Sequence, residues 1–324
     1  MGSAPLAHVV RSGVIESVHL GDVAVCDASG RLLASVGDPD RVAFARSCMK
    51  PIQAAVSLGA IDVPVPQAEI AVMCSSHNGE QVHVRAVRRL LRRGGLDDGA
   101  LRNPAGRPMD PAAAARTRLP APVYQDCSGN HAGMLVASAQ AGWSLDSYRS
   151  RSHPHHRRVL PLVRELSGAD PIVGVDGCGI PVHGLPLRAL ATMYARLGTP
   201  DVTDHAPSLA RVTDAMRAEP YLVGGRERDD TAMMEAVPDL VVKEGAEALD
   251  CAVSLTAGIG VAIKVADGGY RAAGPATIEV LGQLGLLTPG ARRRLRPFLR
   301  PTVTGGGRPV GHLEAICRLS PDRA

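Results

Sequence analysis

The hydrophobic pattern of this chain changes period twice along its length, and that change limits the folds open to it. Residues 8 to 36 read as two or three strands. Val9 to Val18 alternates, Asp22 to Asp27 and Arg31 to Ala34 follow, and Asp27-Ala28-Ser29-Gly30 supplies the turn between the last two. Strand character returns at Leu240 to Val242, Leu255 to Val265 and Tyr270 to Ala273, after which the chain reads as helical to about Arg300. Helical spacing fills most of the middle. One helix starts near Ser47 or Lys50 and stops at Gly59, with Pro51 in its first turn; others cover Glu80 to Arg93, Gly129 to Ala141 and Leu185 to Leu197. Glu69 to Cys74 is a short apolar strand or buried helix, and Ile172 to Val175 a short strand. Strands at both ends of a largely helical middle point to an α/β or α+β layer architecture.

At 324 residues the chain forms one large domain or two tightly joined lobes sharing one active site. Apolar residues make up 45% but aromatic ones only 2%, so the core must be aliphatic and rich in alanine. Stacking platforms for single-stranded nucleic acid are correspondingly scarce. Two basic runs, Arg85 to Arg93 and Arg292 to Arg300, interleave Arg with Leu at helical spacing. They read as solvated helix faces over core-facing stripes rather than a nucleic-acid footprint. No segment is long and apolar enough for a membrane span, and the amino terminus lacks a long apolar run, so the expected setting is cytoplasmic. Seven widely spread cysteines, an odd number, fit that reducing compartment better than a disulfide framework. Asn103 to Pro122 reads as an irregular surface excursion, and His153, His155 and His156 as a solvated cluster in a Pro-containing loop.

Five segments carry chemistry. In Ser47-Cys48-Met49-Lys50 a hydroxyl and an amine stand three residues apart, on one face if the segment is helical, and desolvation of Lys50 would let it take the serine proton. Cys74-Ser75-Ser76-His77-Asn78-Gly79-Glu80 reads first as a helix cap and second as a nucleophile or proton relay. Cys127-Ser128-Gly129-Asn130-His131 opens a helix, and Asp176-Gly177-Cys178-Gly179 is a glycine turn after a strand. Their two thiols read as buried hydrophobes ahead of a disulfide or a metal pair. Lys264 interrupts an apolar, strand-like run; facing a pocket, its amine would be a candidate base. Gly224 to Thr231 is a polar turn before a helix, in which one of its arginines, Arg226 or Arg228, would pair with a substrate carboxylate, or Asp230 would cap the helix.

In this order the segments resemble the bacterial asparaginase II family, the rhizobial-type L-asparaginases, as a divergent member. The matching elements are Arg46 to Gln53 (RSCMKPIQ), Ser76 to Glu80 (SHNGE), Cys127 to Leu135 (CSGNHAGML), Val175 to Pro181 (VDGCGIP), Glu244 to Glu247 (EGAE) and Ile263 to Gly268, spread over nearly the whole chain. The resemblance implies a single asparaginase II-like domain over residues 1–324, similar in fold to serine β-lactamases and penicillin-binding proteins. That fold is an antiparallel sheet flanked by helices with a helical lobe. It implies Ser–Lys catalysis by Ser47 with Lys50 and Ser76 with Lys264, and a small-molecule amide as substrate. Arg46, His131, Asp176 and Arg228 would stand near that substrate, zinc would sit at Cys127 and Cys178, and the protein would be a homodimer. In the family the zinc takes a third ligand from the lysine of C-S-G-K-H. Here that residue is Asn130, a weaker neutral donor, which leaves the metal weakly held, rearranged around water or absent, and frees Asn130 to hydrogen-bond substrate. Cys48, Met49 and Ser75 replace small, alanine-like residues, and the usual Cys-Gly-x-His segment is Leu101-Arg102-Asn103-Pro104.

The expected activity is hydrolysis of the side-chain amide of L-asparagine or a related small amide through an acyl-enzyme, with release of ammonia. Acyl transfer or processing of a modified asparagine in a biosynthetic pathway is the nearest alternative. A non-catalytic amino-acid-binding or metal-sensing relative is the alternative from another class, and two Ser–Lys pairs argue against it.

Overall fold

The structure, a computed structural model, describes residues 2–199 and 203–322. In chain order the strands are β1 (Ala4–Arg11), β2 (Val14–Asp27), β3 (Leu32–Val36), β4 (Val42–Phe44), β5 (Ile172–Val175), β6 (Pro181–Pro186), β7 (Leu240–Gly245), β8 (Leu249–Ser254), β9 (Ile259–Val265), β10 (Thr302–Gly305), β11 (Arg308–Ala315) and β12 (Ser320–Pro321). The helices are α1 (Lys50–Leu58), α2 (Gln67–Met73), α3 (Gln81–Arg93), α4 (Pro111–Arg116), α5 (Ser128–Gln140), α6 (Pro154–Ser167), α7 (Leu187–Leu197), α8 (Ala206–Ala218), α9 (Pro220–Val223), α10 (Asp229–Ala236), α11 (Ala273–Gln283), α12 (Pro289–Arg294) and α13 (Arg296–Leu299). Two compact units result: residues 1–48, 184–199 and 232–324 form one, and 49–183 with 200–231 the other. The chain has the expected mixed α/β class: an antiparallel sheet with helices on it, and a largely helical second body.

In the first unit the sheet runs β10-β11-β1-β2-β9-β8-β7, with β3 also on β2 and β12 on β3. Strand β2 organises it. Its residues 14–21 pair with β1, its residues 23–26 pair with β3 on that same side, and β9 lies along its other edge with Val23 opposite Ile263 and Val25 opposite Val261. Val23, Ala24, Val25 and Cys26 are all fully buried, so both faces of the sheet are covered there, and the segment reads as a continuous apolar run. Helix α7 crosses closely at Gly260, where a Cβ would stand 2.0 Å from the Ala191 carbonyl oxygen; glycine is the only residue that admits the helix at that height.

The alternation from Val9 to Val18 is broken by a tight turn at Ser12 (φ 49°) and Gly13 (φ 83°), both left-handed as a two-residue hairpin requires. The strand expected over Leu255 to Val265 is β9, which starts four residues later at Ile259; β8 (Leu249–Ser254) lies outside every expected strand, and Tyr270–Ala272, expected as strand, is a 3-10 turn that leads into α11. Beyond Arg300 the chain returns to strand and completes the sheet.

The second unit is built around α1, all nine of whose residues are buried. Helices α2, α5, α6 and α8 pack on it. The three histidines expected in a solvated loop are 2%, 0% and 3% exposed (His153, His155, His156). Pro154 is a first-turn residue of α6, and His153 caps that helix by accepting the His155 N–H at 3.2 Å. His155 Nε2 meets Ser57 Oγ at 2.9 Å, and His156 Nε2 donates to the Tyr148 carbonyl at 2.9 Å. The one indole, Trp143, lies under the Arg158 guanidinium at 4.7 Å with the His153 ring against its edge.

Burial drives His77, His131 and His155 well below the ordinary 6.5, and His156 and His183 to about 4. Between those values and 6.5 only the unfolded chain binds the protons, so stability held above pH 6.5 is lost as pH falls toward 4, at about 1.4 kcal/mol per pH unit for each histidine. Urea titrations at stepped pH should give a slope near pH 5 that corresponds to uptake of at least about three protons on unfolding.

Candidate active site

Lys50 opens α1 behind Met49, with Pro51 in the first turn, and only 3% of it is exposed. A buried ammonium must be fully hydrogen-bonded. Its Nζ donates to the Ser75 carbonyl at 2.6 Å and to Ser76 Oγ at 2.9 Å. The acceptors are in place because the chain leaves α2 at Cys74 and runs extended: the Ser76 N–H bonds the Val223 carbonyl at 3.0 Å and the Asn78 N–H the Gly224 carbonyl at 2.9 Å. Neither serine caps a helix. Ser75 Oγ bonds back to the Val72 carbonyl, and α3 starts at Glu80 with no side-chain cap, so the hydroxyl of Ser76 goes to the lysine.

Beside this pair stand the two thiols singled out in the sequence. Cys127 precedes α5, Cys178 lies on the turn after β5, and both are buried. The Cys178 S–H donates to Cys127, which lowers the Cys127 pKa to about 7 against the opposing effect of burial, with Lys50 lowering it further. The Cys178 thiol is pushed up in turn, first by that same bond and then by burial. Burial presses the Lys50 amine down, but the facing Cys127, Asp126 and Cys178 outweigh it and its pKa is raised. Lys50 is therefore an ammonium beside a thiol whose pKa is lowered to about 7, not the desolvated neutral amine expected from its spacing to Ser47.

The thiols supply two of the four donors of a tetrahedral zinc site. Among the described residues no group of three or more His, Cys, Asp and Glu side chains is placed to hold a metal ion. Asn130 donates its amide N–H to the Met73 carbonyl at 3.2 Å. These residues do not make a closed zinc site, and no chemical step is derived through one.

His77 accepts the Gly79 N–H at Nδ1 (3.0 Å), so its proton is on Nε2, which donates to Ser128 Oγ at 2.9 Å. Burial, His83 and Lys50 keep it neutral, and with both nitrogens committed it has none left to act as a base. His131 accepts from the Tyr148 hydroxyl at 2.7 Å through Nδ1, which leaves the buried Nε2–H without a partner among the described residues. Next to it in sequence, Asn130 Oδ1 is a buried acceptor without a partner among them. Arg228 donates to Asn78 Oδ1 at 3.1 Å, two residues from Ser76. Asp176 accepts the Gly177 N–H at 2.7 Å and shapes the turn that carries Cys178.

The remaining predicted residues belong to the first unit. Arg46 holds a left-handed backbone (φ 46°), a strained conformation for an arginine, directly before Ser47. The turn is pinned at its far end: Cys48 Sγ meets the Lys243 carbonyl at 3.1 Å, and the Tyr194 hydroxyl donates to the Cys48 carbonyl at 2.8 Å. Ser47 itself is half-buried. Lys264, also half-buried, donates to the Glu247 carbonyl at 2.6 Å; burial first and Arg41 second lower its pKa. The sequence reading missed Lys243, a fully buried lysine on β7 whose Nζ donates to the Glu244 carbonyl at 2.8 Å. A charge inside the run Leu240 to Gly245 was the available signal.

A buried lysine on a serine hydroxyl, paired thiols and a strained turn before a second serine stand on the motifs noted in the sequence. A family model for L-asparaginase II matches residues 7–315. The chain belongs to the L-asparaginase II family. Solved structures similar to this family member include a β-lactamase from Mycobacterium bovis, at 16% identity and a TM-score of 0.44 over 81% of this chain and 94% of that one. The Mglu structure is similar at 15% identity and a TM-score of 0.47, over 82% and 67%. No curated protein matches the chain. Among the described residues of this L-asparaginase II family member no helix is long and apolar enough to cross a membrane.

The ammonium–thiolate pair has a spectroscopic signature. In metal-free protein, ultraviolet thiolate absorbance should show one thiolate forming with a midpoint at about 7. Lys50→Met and Cys178→Ala should each move that midpoint up toward the ordinary 9.0.

Proposed function

We propose that this protein hydrolyses the side-chain amide of L-asparagine, or of a closely related small amide, through an acyl-enzyme on serine. Membership of the L-asparaginase II family supports a hydrolase. The observation that carries the finer reading is the 2.9 Å contact between the buried Lys50 amine and Ser76 Oγ, which has no evident structural purpose as a cap. As an ammonium, Lys50 lowers the cost of negative charge on that oxygen and on the adduct it forms. The base is a different group. Burial lowers the Lys264 amine while that of Lys50 is raised, so Lys264 is the better proton acceptor of the two lysines.

A serine oxygen, of Ser76 or of Ser47, gives its proton to the base as it attacks the carboxamide carbon; the base passes that proton to the departing nitrogen, and the tetrahedral adduct collapses with loss of ammonia. Water then cleaves the ester to give the carboxylic acid and the free serine. Recognition of a carboxamide is supported by two neighbours in sequence among the buried polar atoms that lack a partner in the described residues, the His131 Nε2–H as donor and Asn130 Oδ1 as acceptor. A carboxamide carries the complement of both, an oxygen and an N–H. Buried polar groups of this kind reject a ligand that leaves them unpaired.

The test is ammonia release from L-asparagine, with L-glutamine beside it, in wild type, Ser47→Ala and Ser76→Ala, each with and without added zinc. Release from L-asparagine should fall at least about a thousand-fold in the nucleophile variant, and His131→Ala should impair binding more than turnover. No release from either amide by folded wild type overturns the proposal and turns the search to acyl transfer and modified asparagines.

A further inference from the structure

We propose that the first unit carries a second ligand site, sharing no residue with the amide chemistry, that binds a small organic phosphate. It is built by the carboxy-terminal basic run, which the hydrolase reading does not use. Ala291 and Leu295 are buried and hold α12 and α13 on the unit, which turns the arginines between them outward. The run lines two adjoining clefts of about 520 Å³ each, one closed by Glu279 of α11 and Glu314 of β11, the other by Thr302 and His312. Arg293, Arg296 and Arg300 line both.

The charges in these clefts do not balance. Glu279 is taken up by Arg292 at 2.7 Å and Arg318 at 3.1 Å, with Gln283 at 3.1 Å. Glu314 is taken up by His312 at 3.2 Å and Arg300 at 3.9 Å. Neither carboxylate is left for Arg293 and Arg296, whose side chains make no hydrogen bond or ion pair among the described residues. Two like charges brought to one cleft without a counter-ion repel each other, and an anionic ligand relieves this.

The number of forks selects the anion. Arg293 belongs to α12 and Arg296 opens α13, and both line both clefts, so two guanidinium groups are available to one ligand. One guanidinium fork satisfies a carboxylate, whereas two forks in one cleft match the oxygens of a phosphate. Pro289, Leu299 and Ala315 give the first cleft an apolar wall, and its volume is in the range of small-molecule sites. The ligand is therefore a phosphate on an organic body. No Phe, Tyr or Trp lines either cleft, so the base-stacking platform of a single-stranded nucleic-acid site is missing.

Titration calorimetry on the whole protein tests this, with AMP, inorganic pyrophosphate, succinate and a short single-stranded oligonucleotide as probes. AMP should bind saturably at one site, with pyrophosphate weaker and succinate weaker still. Arg293→Gln and Arg296→Gln should each weaken AMP by at least about tenfold. Arg294→Gln, on the same helix but outside both clefts, should leave AMP binding intact. All three variants should keep the wild-type hydrolytic rate in the absence of phosphate. Absence of AMP binding overturns the proposal. So does equal loss in the Arg294 variant, succinate binding as tightly as AMP, or preference for the oligonucleotide, each of which would mark diffuse cationic attraction. Because the readout is binding, this result stands or falls separately from the amidase assay.

Discussion

A lysine ammonium held out of water is the constraint around which the second unit is arranged. An unpaired buried charge costs several kcal/mol even after relaxation, so its surroundings must supply both counter-charge and acceptors. Lys50 obtains the acceptors from Ser75 and Ser76 and the counter-charge from Cys127, held as a thiolate by the Cys178 S–H. Each of those groups is delivered by a different local device: an extended segment bonded to residues 223–224, the start of α5, and the glycine turn after β5. The same positive charge helps keep His77 and His131 neutral. One of them is thereby fixed as a structural donor and the other left with an open N–H.

The first unit uses strain where the second uses charge. A left-handed arginine costs of order 1 kcal/mol or more, and it persists only where neighbouring contacts over-determine it. At Arg46 those contacts come one or two residues later, from the Cys48 thiol on the Lys243 carbonyl and the Tyr194 hydroxyl on the Cys48 carbonyl. Cys48 is thus a fastening for the turn that presents Ser47.

Sequence reasoning succeeded where the signal was local. Pro51 and Gly59 bracket α1, the Arg–Leu spacing gives α3, and the polar cluster at Cys127 marks the start of α5, each within a residue or two of the observed bounds. It failed where the deciding partner was distant. The hydroxyl that receives Lys50 is 26 positions away rather than three, and the thiol that tunes Cys127 is on another element. The buried histidines were misread because Pro154 was taken as a loop signal, although proline in a first helical turn is as ordinary as proline in a loop. Strand β8 is not legible in the sequence because Leu249 to Ser254 mixes Asp250 into an apolar run, and the burial of that carboxyl depends on Thr277 of α11.

The scarcity of aromatic residues has an optical consequence. The single indole is Trp143, and it belongs to the helical unit, wedged between the Arg158 cation and the His153 ring. Its emission reports the loosening of that unit and is blind to the sheet. A melt followed by fluorescence and one followed by the far-ultraviolet strand signal are therefore two different experiments. Any gap between them measures directly whether the two halves of this chain come apart as one cooperative body.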